Sequence, residues 1–134
     1  MLLDIHPDSP VPIYEQIVAR LLFAIASGAL EPGTRIPSVR ELANQLLVNP
    51  NTVARAIQEL ERQGVLVARR GLGMEVTTNA PRACRAQRQE IIRGCIRTAL
   101  KEAVSSALAP DEIRRLVDEE LERVNGKPGR SREK

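Results

Sequence analysis

Apolar positions along the chain recur at helical spacing in five windows and as short strand-like runs around one glycine-rich tip. Ile13, Tyr14, Ile17, Val18, Leu21, Leu22 and Ile25 follow the period of an amphipathic helix, which Pro10 and Pro12 introduce and Ser27-Gly28 ends. Val39, Leu42, Ala43 and Leu46 line one face of a shorter helix, and Val53, Ile57 and Leu60 line a face of the next. Val65 to Ala68 and Met74 to Thr77 flank Gly71-Leu72-Gly73, the pattern of a hairpin whose tip needs permissive dihedrals. Thr78-Asn79-Ala80-Pro81 is a short break. Beyond it Ile92, Cys95, Ile96, Ala99, Leu100, Ala103, Val104, Ala107 and Leu108 predict one long helix. Ile113, Leu116, Val117, Leu121 and Val124 predict a final one.

Local signals set the ends of these elements. Ser38-Val39-Arg40-Glu41 is a capping box, in which the Ser38 hydroxyl accepts from the Glu41 N–H and the Glu41 carboxylate accepts from the N-cap. Asn49 is a good N-cap for the following helix, and Pro50 suits its first position because that N–H needs no partner. Gly64 supplies a left-handed end. Glu31-Pro32-Gly33-Thr34 suits a type II turn, after which Thr34-Arg35-Ile36 is a candidate minimal strand. Pro110 and the acids Asp111 and Glu112 restart the chain as a helix at 109–112. Two capped helices joined by the tight turn Leu47-Val48-Asn49-Pro50 have the geometry that places the second in a DNA major groove. The fold class expected is mainly α with a small β-hairpin. A winged helix-turn-helix over 1–78 precedes a two-helix dimerisation tail over 79–126 and a basic end, 127–134, expected to fray. The hairpin, with Arg69 and Arg70 near its tip, is a DNA-touching wing or a plain cap on the helices; the tip position of the arginines favours the wing.

Composition narrows the classes. The chain is 43% hydrophobic with only Tyr14 and Phe23 as aromatics, so its core is aliphatic and it lacks the stacking platforms of single-strand binders. A net charge of +3 proves no nucleic-acid partner by itself. Its distribution is more telling: arginines recur through the helix-turn-helix and hairpin, while Asp111 to Glu122 is acidic. Cys84 and Cys95 have no metal-ligand or redox spacing and are expected as reduced small hydrophobes. The N-terminus shows no signal peptide and no apolar run approaches a membrane span, so a cytoplasmic protein with no membrane contact is expected. His6 is the single histidine, Gly71-Leu72-Gly73 lacks the lysine of a phosphate loop, and no catalytic constellation is present. The expectation is no enzyme, no metal and no cofactor.

Two helices cannot close a core by themselves. Either the tail folds back on the first helix or the same tail from a second subunit covers it; the two-fold symmetry of duplex sites favours the homodimer. Its expected interface residues are Ile92, Ile96, Leu100, Val104, Leu108, Val117 and Leu121. Gly94, costly within a helix, hints at a close helix crossing.

A set of motifs carries a family resemblance. Pro12-Ile13-Tyr14 with Gln16-Ile17 is followed by Gly28-Ala29-Leu30-Glu31-Pro32-Gly33-Thr34-Arg35-Ile36-Pro37-Ser38 and Arg40-Glu41-Leu42-Ala43. Then come Val48-Asn49-Pro50-Asn51-Thr52-Val53, Leu60-Glu61, and Gly64-Val65-Leu66 leading to Arg70-Gly71-Leu72-Gly73. Over residues 10 to 77 this resembles the GntR superfamily of bacterial transcription regulators; the short tail and the Val-Asn-Pro-Asn-Thr-Val string resemble its small YtrA-type branch. The resemblance implies a dimer on a pseudo-palindromic operator, commonly a repressor near transporter operons, with no large effector domain. It also implies DNA contacts from Arg40, from Thr52 and from Gly71 at the minor groove. Two further family contacts are arginines where this chain has Pro50 and Ala54.

The candidate DNA-facing residues are Arg35, Ser38, Arg40, Asn49, Asn51, Thr52, Arg55, Arg69, Arg70 and Gly71, with recognition helix 50–63 and wing 66–77. Arg40 can fork onto a guanine edge or clamp a phosphate, against the alternative of an ion pair with Glu41 or Glu15. Asn51 can read adenine or cap its own helix. Thr52 can meet a phosphate or a thymine methyl, and Arg55 can read bases or pair with Glu59. The alternative function is a winged helix used as a protein-interaction module. An unidentified small-molecule effector, if there is one, is expected between the tail helices or between tail and DNA-binding unit.

Overall fold

The first helix buries the face its spacing predicts. In the structure, a computed structural model that describes residues 5–126, α1 (Ile13–Ala26) turns Ile17, Leu21, Leu22 and Ile25 inward. The frayed end expected at 127–134 lies outside the described residues. Gln16 is also buried: its amide donates to the carbonyls of His6 and Val11, and its Oε1 accepts from the His6 N–H at 2.8 Å. That satisfies the buried amide and ties the lead-in segment to α1.

The capping chemistry appears as expected. In α2 (Val39–Leu46) Ser38 Oγ accepts from the Glu41 N–H at 3.1 Å and Glu41 Oε1 accepts from the Ser38 N–H at 2.8 Å. In α3 (Pro50–Arg62) Asn49 Oδ1 accepts from the Asn51 N–H at 2.7 Å. Gly64 ends α3 with φ 79°; its N–H donates to Glu61 and the Val65 N–H to Leu60, the paired bonds of a Schellman end. Between the two helices Leu47 takes a left-handed conformation, φ 56° and ψ 48°, with 91% of its surface exposed. A residue with a Cβ is strained there, and its side chain gains nothing from burial.

The hairpin pairs β1 (Leu66–Arg69) antiparallel to β2 (Gly73–Val76), in the register Leu66 to Val76 and Arg69 to Gly73. The Glu31–Thr34 turn closes as expected, with Gly33 at φ 86° and the Thr34 N–H donating to Glu31 at 3.0 Å. The strand expected at 34–36 is an isolated bridge from Arg35 to Glu75: Ile36 donates to Met74 and Val76 to Thr34. It widens the wing by one short rung.

The described residues divide into two compact units, the first ending at Ile91 and the second starting at Ile92. The core of the first draws on α1, α2, α3 and the hairpin, with α1 and α2 both packed on α3. The helix expected beyond the break at 78–81 starts at once, as α4 (Ala80–Ser105), and the buried Ala80 and Cys84 place its first turns in that core. Pro81 is compatible because a first-turn N–H has no intrahelical partner to lose. The first unit therefore extends past the boundary at 78 that the break at 78–81 suggested, to Ile91. The long helix also stops short of Leu108. Ala107 turns left-handed at φ 68°, and Leu108 donates back to Ala103 at 3.2 Å, so Leu108 belongs to the connection and not to a helical stripe. In the second unit α5 (Pro110–Asn125) begins with Glu112 accepting from the Ala109 N–H at 2.9 Å and buries no residue.

Candidate nucleic-acid interface

Two elements frame the polar surface of the first unit. A cleft of about 410 Å³ separates the start of α2 from the wing, lined by Arg35, Ser38, Glu41 and Gln45 on one side and Leu72 and Gly73 on the other. Ser38 is committed to its cap, so what it offers a ligand is an ordered helix N-terminus. Arg40, one residue into α2, is exposed and has no ion pair or hydrogen bond; neither Glu41 nor Glu15 holds it. A guanidinium in that state keeps all its donors for an external anion or base.

The recognition helix sorts its candidates. Asn49 is consumed by capping, which leaves the Asn51 side chain exposed and uncommitted. Thr52 is half-buried with no side-chain hydrogen bond, so back-bonding within the helix does not occupy it. Arg55 differs from both sequence alternatives. Its guanidinium lies 3.8 Å from the ring centroid of Tyr14 on α1, a cation–π stack, and Glu59 pairs elsewhere. The Glu59 carboxylate takes Arg62 and Gln63, and those hydrogen bonds hold it well below the usual range, at about 2. Gln63 in turn accepts from Gln87 of α4 at 2.7 Å.

At the wing, Arg69 forms an ion pair with Glu75 across the hairpin at 3.4 Å, so it braces the strands. Arg70, beside Gly71 at φ 74°, is exposed and unpaired. The Leu72 N–H closes the tip onto Arg69 at 2.8 Å. Burial pushes the Cys84 thiol up to about 11, so it stays protonated and behaves as core; Cys95 is exposed. Sequence reasoning missed Tyr14 and the Gln63–Gln87 bond. The one available signal was that Tyr14 is half the aromatic content of the chain.

In the second unit the expected interface residues are exposed, save Leu108, which is half-buried. Ile92, Ile96, Leu100 and Val104 on α4 range from 38% to 64% exposed, and Val117 and Leu121 on α5 are about half exposed. The α4 strip is flanked by Arg93, Arg97 and Lys101. Among the described residues no helix is long and apolar enough to cross a membrane.

Three helices with a tight turn between the second and third, closed by a two-stranded hairpin, make this unit a winged helix-turn-helix. The family model for the gntR family of bacterial regulatory proteins matches residues 13–76. A solved GntR family transcriptional regulator from Listeria monocytogenes superimposes with a TM-score of 0.70 at 32% identity, covering 84% of this chain and 97% of that one. The chain belongs to the GntR family. It is also similar to the HTH-type transcriptional repressor YtrA of Bacillus subtilis (strain 168), 44% identical over 79 residues, 59% of this chain. That match spans 61% of the repressor's length. The DNA-binding domain of AraR, solved in complex with operator ORX1, aligns with a TM-score of 0.52 at 29% identity over 57% of this chain and 99% of that one. These relatives are transcription regulators, not enzymes.

Proposed function

We propose that this chain is a cytoplasmic, dimeric transcription regulator that binds a pseudo-palindromic operator and represses a nearby, transporter-type operon. The observation that carries the reading is the contrast within one unit: the apolar stripes of its helices and hairpin pack into one core, while Arg40, Asn51 and Arg70 stand exposed and unpartnered. Helix 50–63 enters the major groove and the wing, 66–77, lies at the minor groove. Asn51 is the base reader of the recognition helix, since Arg55 is engaged by Tyr14. Arg35, Ser38 and Thr52 serve the backbone, and Arg69 supports the wing that presents Arg70 and Gly71. The operator complex of the AraR domain and the repressor function named for the YtrA relative support this assignment.

The second unit supplies the dimer. Its apolar strip on α4 is bordered by cations, whereas α5 is acidic overall and carries Asp118 beside Val117 and Leu121, with Glu119 and Glu120 paired to Arg115 and Arg123. A second copy offers both the apolar cover and the opposite charge.

Titration of duplexes from the region upstream of this gene, at fixed salt, tests the reading. Arg40→Ala is expected to cost roughly 1–3 kcal/mol of binding, and Asn51→Ala to relax preference at a single base pair. Arg55→Ala should weaken all sequences alike. Wild-type affinity in both Arg40→Ala and Asn51→Ala sinks the recognition-helix assignment. A folded protein that binds no duplex at any salt concentration leaves the protein-interaction module as the better reading.

A further inference from the structure

The first unit contains a second concavity, away from the cleft beside the wing. It is about 400 Å³, lies between α1, the end of α3 and the first half of α4, and belongs wholly to residues 1–91. Its apolar wall is built from Val18, Leu22 and Ile91. Tyr14 contributes an aromatic ring, and the ionisable groups at its edge are two carboxylates, Glu15 and Glu59. Among the described residues no basic side chain lines it. Glu59 is already paired with Arg62, but Glu15 is exposed and has no partner.

We infer that this cleft is a binding site for an organic cation with an apolar body, and that its occupancy is coupled to DNA binding. The chemistry follows from the lining: aliphatic walls take the body, while the Glu15 carboxylate, which holds no partner of its own, selects positive charge. A carboxylate ligand meets like charge at Glu15, and the cations that touch the lining, Arg55 and Arg62, are already held by Tyr14 and Glu59. The coupling follows from two shared residues. Tyr14 lines the cleft and carries Arg55 of the recognition helix at 3.8 Å. Gln63, at the end of that helix, is hydrogen-bonded at 2.7 Å to Gln87, and both line the cleft. A ligand touching these groups shifts their equilibrium, and DNA binding must by linkage alter ligand affinity equally. The coupling rests on the operator-binding reading above; the binding itself does not.

The test titrates the isotope-labelled full chain, without DNA, with phenylbutylammonium, phenylbutanol and phenylbutyrate, and follows amide shifts. Saturable shifts at Ala19, Gln63 and Gln87 are expected with the ammonium, and at least about five-fold weaker binding with the carboxylate. Ala19→Trp fills the cleft and should abolish binding. Glu15→Gln, at an exposed position that leaves folding unchanged, should weaken it about three-fold. Absence of saturation, equal binding of the carboxylate, or unchanged binding in both variants overturns the site. Operator affinity measured with and without saturating ammonium should differ by about three-fold or more in the parent protein and not in Ala19→Trp. An unchanged operator affinity overturns the coupling, whereas a ligand-free protein with no duplex binding counts against the operator reading alone.

Discussion

Among the described residues every fully buried apolar side chain lies between Ile17 and Cys84, whereas α5 and the later turns of α4 bury none. Both regions were built from the same aliphatic alphabet at the same helical period. They differ in closure. In the first unit three helices and a hairpin present apolar faces to one another, so each stripe finds a protein partner. In the second, two helices carry stripes of Ile96, Leu100, Val104, Val117 and Leu121 that remain about half open to water. Covering a side chain of that size stabilises by roughly 1.5–3 kcal/mol. Amphipathic periodicity thus specifies that a face must be covered, but not by what.

The contrast can be broken most directly at its firmest point. Leu60, buried in α3, touches the centre of the first core, and Leu60→Ala should cost about 3 kcal/mol of unfolding free energy in a denaturant titration. A loss below about 1 kcal/mol would mean that this core is not the source of stability. The matching change in the other region is Ile96→Asp. It should leave the unfolding of the first unit unaltered, shift the protein to a single subunit in sedimentation, and lower operator affinity roughly 100-fold through lost avidity. An Ile96→Asp protein that still sediments as a dimer would deny the stripe its role.

Smaller effects sharpen the picture. Leu47 is strained by its left-handed backbone and contributes almost no burial, so Leu47→Gly should raise stability by about 1 kcal/mol, read as an increase in Tm. A drop in Tm would show that the leucine makes contacts of its own. The least effect is electrostatic. Glu59 has a folded-state pKa of about 2 against an ordinary value of 4.5, so its contribution is present above 4.5 and lost as pH falls toward 2. Glu59→Gln should flatten the stability–pH curve within that window alone.

Much of the helix-turn-helix was legible because its signals are local. The Ser38–Glu41 box, the Asn49-Pro50 start and the Gly64 end each involve hydrogen bonds within a few residues, and all three form. The break at 78–81 misled because a proline near a helix start resembles one that separates elements. The stripe through Leu108 misled because spacing does not register that Ala107 turns left-handed. At the candidate interface the residue types were readable but their commitments were not: Arg40 is open, Arg69 is spent on Glu75, and Arg55 lies on Tyr14.

By itself, then, the order of residues determined the elements, their caps, the tight turn and the winged helix-turn-helix class, because those depend on backbone chemistry at short separation. Tertiary packing alone decided which arginines were left free, that Cys84 belongs to the core, and that Tyr14 and Gln87 meet the recognition helix. Tyr14 and Arg55, like Gln63 and Gln87, lie far apart in the chain, and no periodicity in a one-dimensional pattern encodes which distant side chain will lie opposite.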